Sequence, residues 1–154
     1  MMLLEHPQYQ RRLSEVGELP LPWEKLKNST IAMSGATGMV GRFLIDVIMY
    51  RNRVHSQNCV VYSLGRTERK AKQCFSEYWD HPLFHFLQWD FRDIPAFHDT
   101  ATIDYIFHLA STTHPKAYAT EPIDTIMVNI LGLHHLLEAA CFHATKRFVF
   151  TSSC

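Results

Sequence analysis

"SGATGMVG", residues 34–41, directly follows the short apolar run of residues 30–33. It carries glycines at three-residue intervals: Gly35, Gly38 and Gly41. A helix that begins after a strand offers unpaired N–H groups, which can bind a pyrophosphate if no side chain blocks its approach. We expect Gly35 to permit a tight turn, Gly38 to admit the phosphate, and Gly41 to allow close packing of helix and strand. The segment predicts dinucleotide binding, and a plain tight turn is the alternative.

Strand-like and helix-like segments alternate along the chain. The predicted strands are residues 30–34, 59–65, 84–90, 104–111 and 147–153, and the predicted helices are residues 8–17, 39–51, 68–79 and 121–144. This alternation predicts an α/β fold, a Rossmann-like doubly wound parallel sheet of about five strands in the order 3-2-1-4-5. We expect residues 1–27 to form a helical or extended arm and residues 28–154 an incomplete NAD(P)-binding domain.

No segment has the composition of a signal peptide or of a membrane-spanning helix. The predicted helix at residues 121–144 is long, and seven of its apolar residues are predicted to lie on one side: Ile123, Ile126, Met127, Ile130, Leu133, Leu137 and Ala140. No window reaches 18 consecutive apolar residues, so we expect a cytoplasmic protein without membrane contact.

The composition is that of an ordinary globular domain. Among 154 residues, 15 Lys and Arg balance 15 Asp and Glu, which argues against a strongly basic nucleic-acid-binding protein. The four cysteines have no Cys-x-x-Cys spacing and are expected to be free thiols. His81 and His85 are four residues apart, but Pro82 intervenes and no cysteine or acidic cluster completes a metal site. We therefore predict no metal.

The end of the second predicted strand bears on cofactor choice. An acidic residue there would bind the ribose hydroxyls of NAD, but the sequence has "SLGRTERK", with Arg66 followed by Arg69 and Lys70. An arginine can pair with a 2′-phosphate through two hydrogen bonds, which favours NADP over NAD. A solvated run of charges at a helix start is the alternative.

Asp90 ends the third predicted strand, in "QWDFRD". A carboxylate at this position can accept a hydrogen bond from an adenine amino group, and Phe91 can lie against the edge of the ring. A simple turn aspartate is an equally good interpretation of Asp90.

Five motifs, taken together, resemble a known family. They are "GATGMVG", "WDFRD", "HLASTTHPKAYATEP", "VNILGLHHLLEAA" and "RFVFTSS", in that order within residues 28–154. Their order and spacing resemble the extended short-chain dehydrogenase/reductases, above all the NAD(P)-dependent sugar-nucleotide epimerases and dehydratases. The resemblance implies hydride transfer from a sugar carbon to nicotinamide.

The resemblance also implies roles for particular residues. The phosphate-binding loop would comprise Gly35, Thr37, Gly38, Met39, Val40 and Gly41, and the adenine contacts would be Asp90 and Phe91. The cofactor riboses and nicotinamide would lie beside Leu109, Ala110, Ser111, Asn129, Thr151 and Ser152. Thr113 and His114 would lie near the substrate, and Ser153 would be the catalytic serine that hydrogen-bonds the sugar hydroxyl.

The sequence departs from the family in one respect. The family's Tyr-x-x-x-Lys pair, in which tyrosine is the base, follows the serine, but none of the six tyrosines here has lysine four residues later. We expect a fragment or a truncated gene product that is inactive alone, with a nucleotide-sugar substrate in the full-length enzyme. A non-catalytic dinucleotide-binding or regulatory module is the alternative. The open edge of the last strand and the long helix further predict a homodimer or other self-association.

Overall fold

A computed structural model describes residues 3–97, 102–111, 120 and 122–152. The described residues form a parallel sheet of five strands in the order β3-β2-β1-β4-β5, which confirms the predicted topology. The strands are β1 (Thr30–Ser34), β2 (Val60–Gly65), β3 (Phe84–Gln88), β4 (Tyr105–His108) and β5 (Arg147–Phe150). The α-helices are α1 (Pro7–Gly17), α2 (Met39–His55), α3 (Glu68–Cys74) and α4 (Pro122–Phe142).

The core lies on both faces of the sheet, with β1 at its centre. Successive side chains of a strand point to opposite faces, so Ile31 and Ala32 enter different clusters. Ile31 packs with residues of α2 and α3, whereas Ala32 packs with Leu136 and other residues of α4. The helices therefore cover both faces, as a doubly wound sheet requires.

Helix α3 is shorter than the predicted helix at residues 68–79. It ends at Cys74, because Phe75 leaves the helical conformation with φ −121° and ψ 29°. The Phe75 ring is buried 5.1 Å from the ring of Phe84, and the rings of Tyr78 and Trp79 lie 6.3 Å from the same ring. Packing of these aromatic side chains on β3 outweighs the helical pattern of the sequence.

Helix α4 turns most of its predicted apolar side to the outside. Ile123, Ile126 and Ile130 are 73%, 54% and 60% exposed, whereas Leu136 and Ala139 are buried against the sheet. The helix is apolar nearly all round, so periodicity did not identify the buried face. None of the described helices is long and apolar enough to cross a membrane.

Residues 3–27, called the N-terminal arm below, precede β1. The arm contains two short 3-10 turns, Leu3–Glu5 and Trp23–Leu26, with α1 between them. Helix α1 packs on α2, the helix that follows the glycine turn. The arm therefore packs against α2, the helix whose first residues form part of the candidate site described below.

Candidate dinucleotide-binding site

The turn between β1 and α2 requires glycine at its first position. Gly35 has φ +69°, in the left-handed region, and a Cβ atom there would lie 2.5 Å from the carbonyl carbon of Leu109. A Cβ on Gly41 would lie 2.5 Å from the Gly35 oxygen, so Gly41 makes room for the turn itself. We expected Gly41 to let the helix pack closely on the strand. In this structure it instead lets α2 pack closely on the turn at Gly35 and Ala36.

Helix α2 begins with its N–H groups open to a ligand. Gly38 is the N-cap residue, with φ −75° and ψ 168°, and no side chain among the described residues caps it. The first N–H groups of a helix have no partner within the helix and lie at the positive end of its dipole. Met39 and Val40, the next two residues, are 88% and 55% exposed. An uncapped helix start bordered by exposed apolar side chains is suited to an anion that carries apolar groups.

A cavity of about 550 Å³ lies in front of this helix start. Most of the predicted site residues line it: Gly35, Thr37, Gly38, Met39, Val40, Gly41, Arg66, Phe91, Leu109, Ala110 and Ser111. The cavity lies where the ends of β1, β2 and β4 meet α2, which is the crevice expected from the strand order. Its volume is typical of small-molecule and cofactor sites.

Other predicted site residues lie elsewhere. Four predicted site residues are described by the structure but do not line the cavity: Asp90, Asn129, Thr151 and Ser152. The Asp90 carboxylate accepts a hydrogen bond from the Arg92 N–H at 3.1 Å and so stabilises the local turn. Its contact with adenine stays a prediction. Thr113, His114 and Ser153 lie outside the described residues.

The sequence interpretation did not include Trp89 in the site. Trp89 lines the cavity beside Phe91, and its indole N–H donates to the Asp93 carbonyl at 2.7 Å. Gly132 of α4 leaves room for Phe91, because a Cβ there would lie 3.2 Å from Phe91 Cβ. Trp89 precedes Asp90 in the quoted motif, so its position was the available signal. The two rings form an apolar wall against which a base could pack.

A buried polar pair joins the ends of β1 and β4, and its serine lines the cavity. Ser34 Oγ and His108 Nδ1 share a hydrogen bond of 2.6 Å, and both residues are buried. Burial lowers the pKa of His108 to about 4, so the imidazole is neutral near pH 7. The Ala110 N–H also donates to Ser34 Oγ, at 3.4 Å. Polar residues at the ends of two otherwise apolar strands were the sequence signal for this pair.

The cavity has a positive rim. Arg66 and Lys70 line it at the end of β2 and the start of α3, and no aspartate or glutamate is among the described lining residues. Lys70 was noted beside Arg66 in the sequence but was not predicted as a site residue. Two cations in a lining that has no described carboxylate are suited to a phosphate group.

A parallel sheet in this order, with a glycine turn and an uncapped helix at its central crevice, defines a Rossmann-like dinucleotide-binding fold. The family model of the NAD-dependent epimerase/dehydratase family matches residues 31–154. The chain belongs to this family.

Individual relatives agree with this assignment. UDP-glucuronic acid decarboxylase 4 of Arabidopsis thaliana is 28% identical over 147 residues, which are 95% of this chain and 30% of that protein. A dTDP-glucose 4,6-dehydratase of Streptomyces antibioticus is 33% identical over 80% of this chain and 37% of its own length. The structure of Bordetella bronchiseptica WbmF with NAD+ and UDP has a TM-score of 0.63 at 22% identity, over 82% of this chain and 36% of WbmF. The chain thus spans about a third of the length of these proteins.

Proposed function

We propose that this chain is the cofactor-binding portion of an NAD(P)-dependent enzyme that acts on a nucleotide sugar. The observation that carries the proposal is the glycine turn that opens the uncapped start of α2 into the cavity. The substrate class is supported by the names of two relatives, the UDP-glucuronic acid decarboxylase and the dTDP-glucose 4,6-dehydratase, each of which refers to a nucleotide sugar. The WbmF structure contains NAD+ and UDP.

In this proposal the cavity divides into subsites. The first N–H groups of α2 would bind the diphosphate, beside the bare backbone of Gly38. Leu109, Ala110 and Ser111 would border the riboses, and Trp89 would border the base. When bound, the oxidised nicotinamide of the cofactor would accept a hydride from a carbon of the sugar. Ser153, which lies outside the described residues, would donate or accept the hydrogen bond to the sugar hydroxyl.

Gly38→Val is expected to weaken NAD+ and NADP+ binding at least tenfold, which corresponds to about 1.4 kcal/mol. A Cβ at this position would lie 3.1 Å from the Gly35 oxygen and would otherwise project into open space, where the phosphates are proposed to bind. Calorimetry measures the affinities, and Gly38→Ala should give a smaller loss because it adds one methyl group. Equal affinity of the folded valine variant and the wild type would refute this site.

We further propose that the enzyme prefers NADP. Arg66 and Lys70 on the cavity rim support a 2′-phosphate subsite. Arg66→Ala is expected to weaken NADP+ binding about tenfold, since charge-assisted hydrogen bonds are lost, and to leave NAD+ binding nearly unchanged. Arg69→Ala is the matched control, because Arg69 is an exposed neighbour outside the cavity lining. Tighter binding of NAD+ than of NADP+ by the wild type would contradict the proposal.

A further inference from the structure

We propose that the N-terminal arm is a positioning element for the phosphate-binding helix α2, and that Tyr9 is the residue through which it acts on cofactor affinity. The inference rests on the proposed cofactor site. The arm precedes the segment matched by the family model, which begins at residue 31.

The arm follows α2 along most of its length. Near the start of α2, the Tyr9 ring meets the Phe43 ring edge-on, with centroids 5.7 Å apart. Further along, Gly17 packs so closely on Tyr50 that a Cβ would lie 2.6 Å from the ring. At the end of α2, the Glu18 carboxylate lies 2.7 Å from His55 Nε2. These contacts allow little movement of α2 relative to the arm.

The second half of the arm fixes the last turns of α2. Arg51 Nη1 donates to the Gly17 carbonyl at 2.9 Å, and its guanidinium lies 4.7 Å above the Trp23 ring. Gln57, just beyond α2, donates a hydrogen bond to the Trp23 carbonyl. With the C-terminal part of α2 held in this way, the contact nearest to the phosphate-binding end is the one made by Tyr9.

That contact involves a buried carboxylate. The Tyr9 hydroxyl donates to Asp46 Oδ2 at 2.6 Å, and Asp46 has no exposed surface. Burial raises the pKa of Asp46 to about 6, while the hydrogen bond from Tyr9 and the positive charge of Arg42 oppose the rise. Tyr78 and Glu77 face the same carboxylate from the segment after α3. A buried carboxylate that loses its hydrogen bond is costly, so Tyr9 and Asp46 stabilise the docked arm.

The contact also reaches the first turn of α2. Arg42 directly follows Gly41, and its Nε lies 3.8 Å from Asp46 Oδ2. The chain of contacts therefore runs from Tyr9 through Asp46 to the turn whose N–H groups would bind the diphosphate. Binding through fixed backbone donors depends on their placement, so a small displacement of this turn reduces affinity.

Tyr9→Phe removes the hydroxyl and keeps the ring. We expect NAD+ and NADP+ to bind about threefold to tenfold more weakly to this variant, in calorimetry at a temperature well below unfolding. Tyr105→Phe is the matched control: the Tyr105 hydroxyl donates to the Lys25 carbonyl of the arm at 2.8 Å, but Tyr105 belongs to β4. The control also removes a hydrogen bond that holds the arm, although an exposed one, and should leave both affinities unchanged.

Hydrogen exchange tests the same inference without cofactor. The amides of residues 42–45, beginning with the Arg42 N–H that donates to the Gly38 carbonyl at 2.9 Å, should exchange faster in Tyr9→Phe than in the wild type, and at the wild-type rate in Tyr105→Phe. If Tyr9→Phe lowers only the unfolding temperature, with affinity and exchange unchanged, the arm is merely structural and the inference is wrong. If the wild type binds neither cofactor, the proposed function fails, and the exchange rates alone still decide whether Tyr9 positions α2.

Discussion

Gly35→Ala is expected to lower the free energy of unfolding by about 3 kcal/mol or more. A residue other than glycine costs about 1–2 kcal/mol in the left-handed conformation that Gly35 adopts. The added Cβ would also lie 2.6 Å from the Ala110 nitrogen, which is backbone and cannot rotate away. The end of β4 would have to move, although β4 pairs with β1 at the centre of the sheet. Strain at a special backbone position is one of the few causes of so large an effect.

Urea unfolding of the two proteins measures this effect, and Gly65→Ala is the control. A Cβ on Gly65 would lie 3.5 Å from the Phe86 ring, an ordinary contact, and the backbone there is outside the left-handed region. The control should change stability by less than about 1 kcal/mol. If both variants were equally stable, the close approach of the turn to Leu109 would be disproved.

Asp46→Asn is expected to gain stability relative to the wild type by up to about 3 kcal/mol as the pH rises from 4 to 7. Burial raises the pKa of Asp46 from 3.8 to about 6, so ionisation costs more in the folded than in the unfolded chain. The folded protein holds this proton more tightly, and the wild type loses stability relative to the variant as pH rises from about 4 to 6. Above about pH 7, where Asp46 is ionised in both the folded and the unfolded chain, the difference should stay constant. The asparagine oxygen can still accept the Tyr9 hydrogen bond.

Thermal or urea unfolding of both proteins between pH 4 and pH 8 gives the difference. Asp104→Asn is a control of opposite sign. Burial alone would raise the pKa of Asp104, but hydrogen bonds from Lys146 and from the Thr30 N–H outweigh it and lower the pKa. Its carboxylate therefore adds stability at neutral pH that is lost as pH falls, and the variant should be less stable at pH 7. A difference for Asp46→Asn that does not change with pH would contradict a raised pKa.

Local patterns were sufficient to predict the frame of the site. The apolar run before Ser34, the three glycines and the helical spacing after them depend on residues close together in the chain. They predicted β1, the start of α2 at Met39 and the crevice, as the structure has them. The parallel order followed, because right-handed crossovers leave few arrangements of alternating strands and helices.

Where the sequence interpretation was incomplete, the deciding contacts join distant residues. Phe91 packs closely on α4 because Gly132, more than forty residues later, has no Cβ, which would lie 3.2 Å from Phe91 Cβ. No periodicity within a single segment contains such information.

The sequence by itself determined the alternation of strands and helices, the strand order and the glycine turn with its open helix start, because these depend on backbone conformation and on the short-range spacing of apolar residues. The tertiary structure alone decided which face of α4 is buried, where α3 ends, that Ser34 meets His108, and that Tyr9 meets Asp46. The partners in the two hydrogen bonds are 74 and 37 residues apart. Their contact depends on how the layers pack, because burial energy is shared by many side chains and has no local sequence signal.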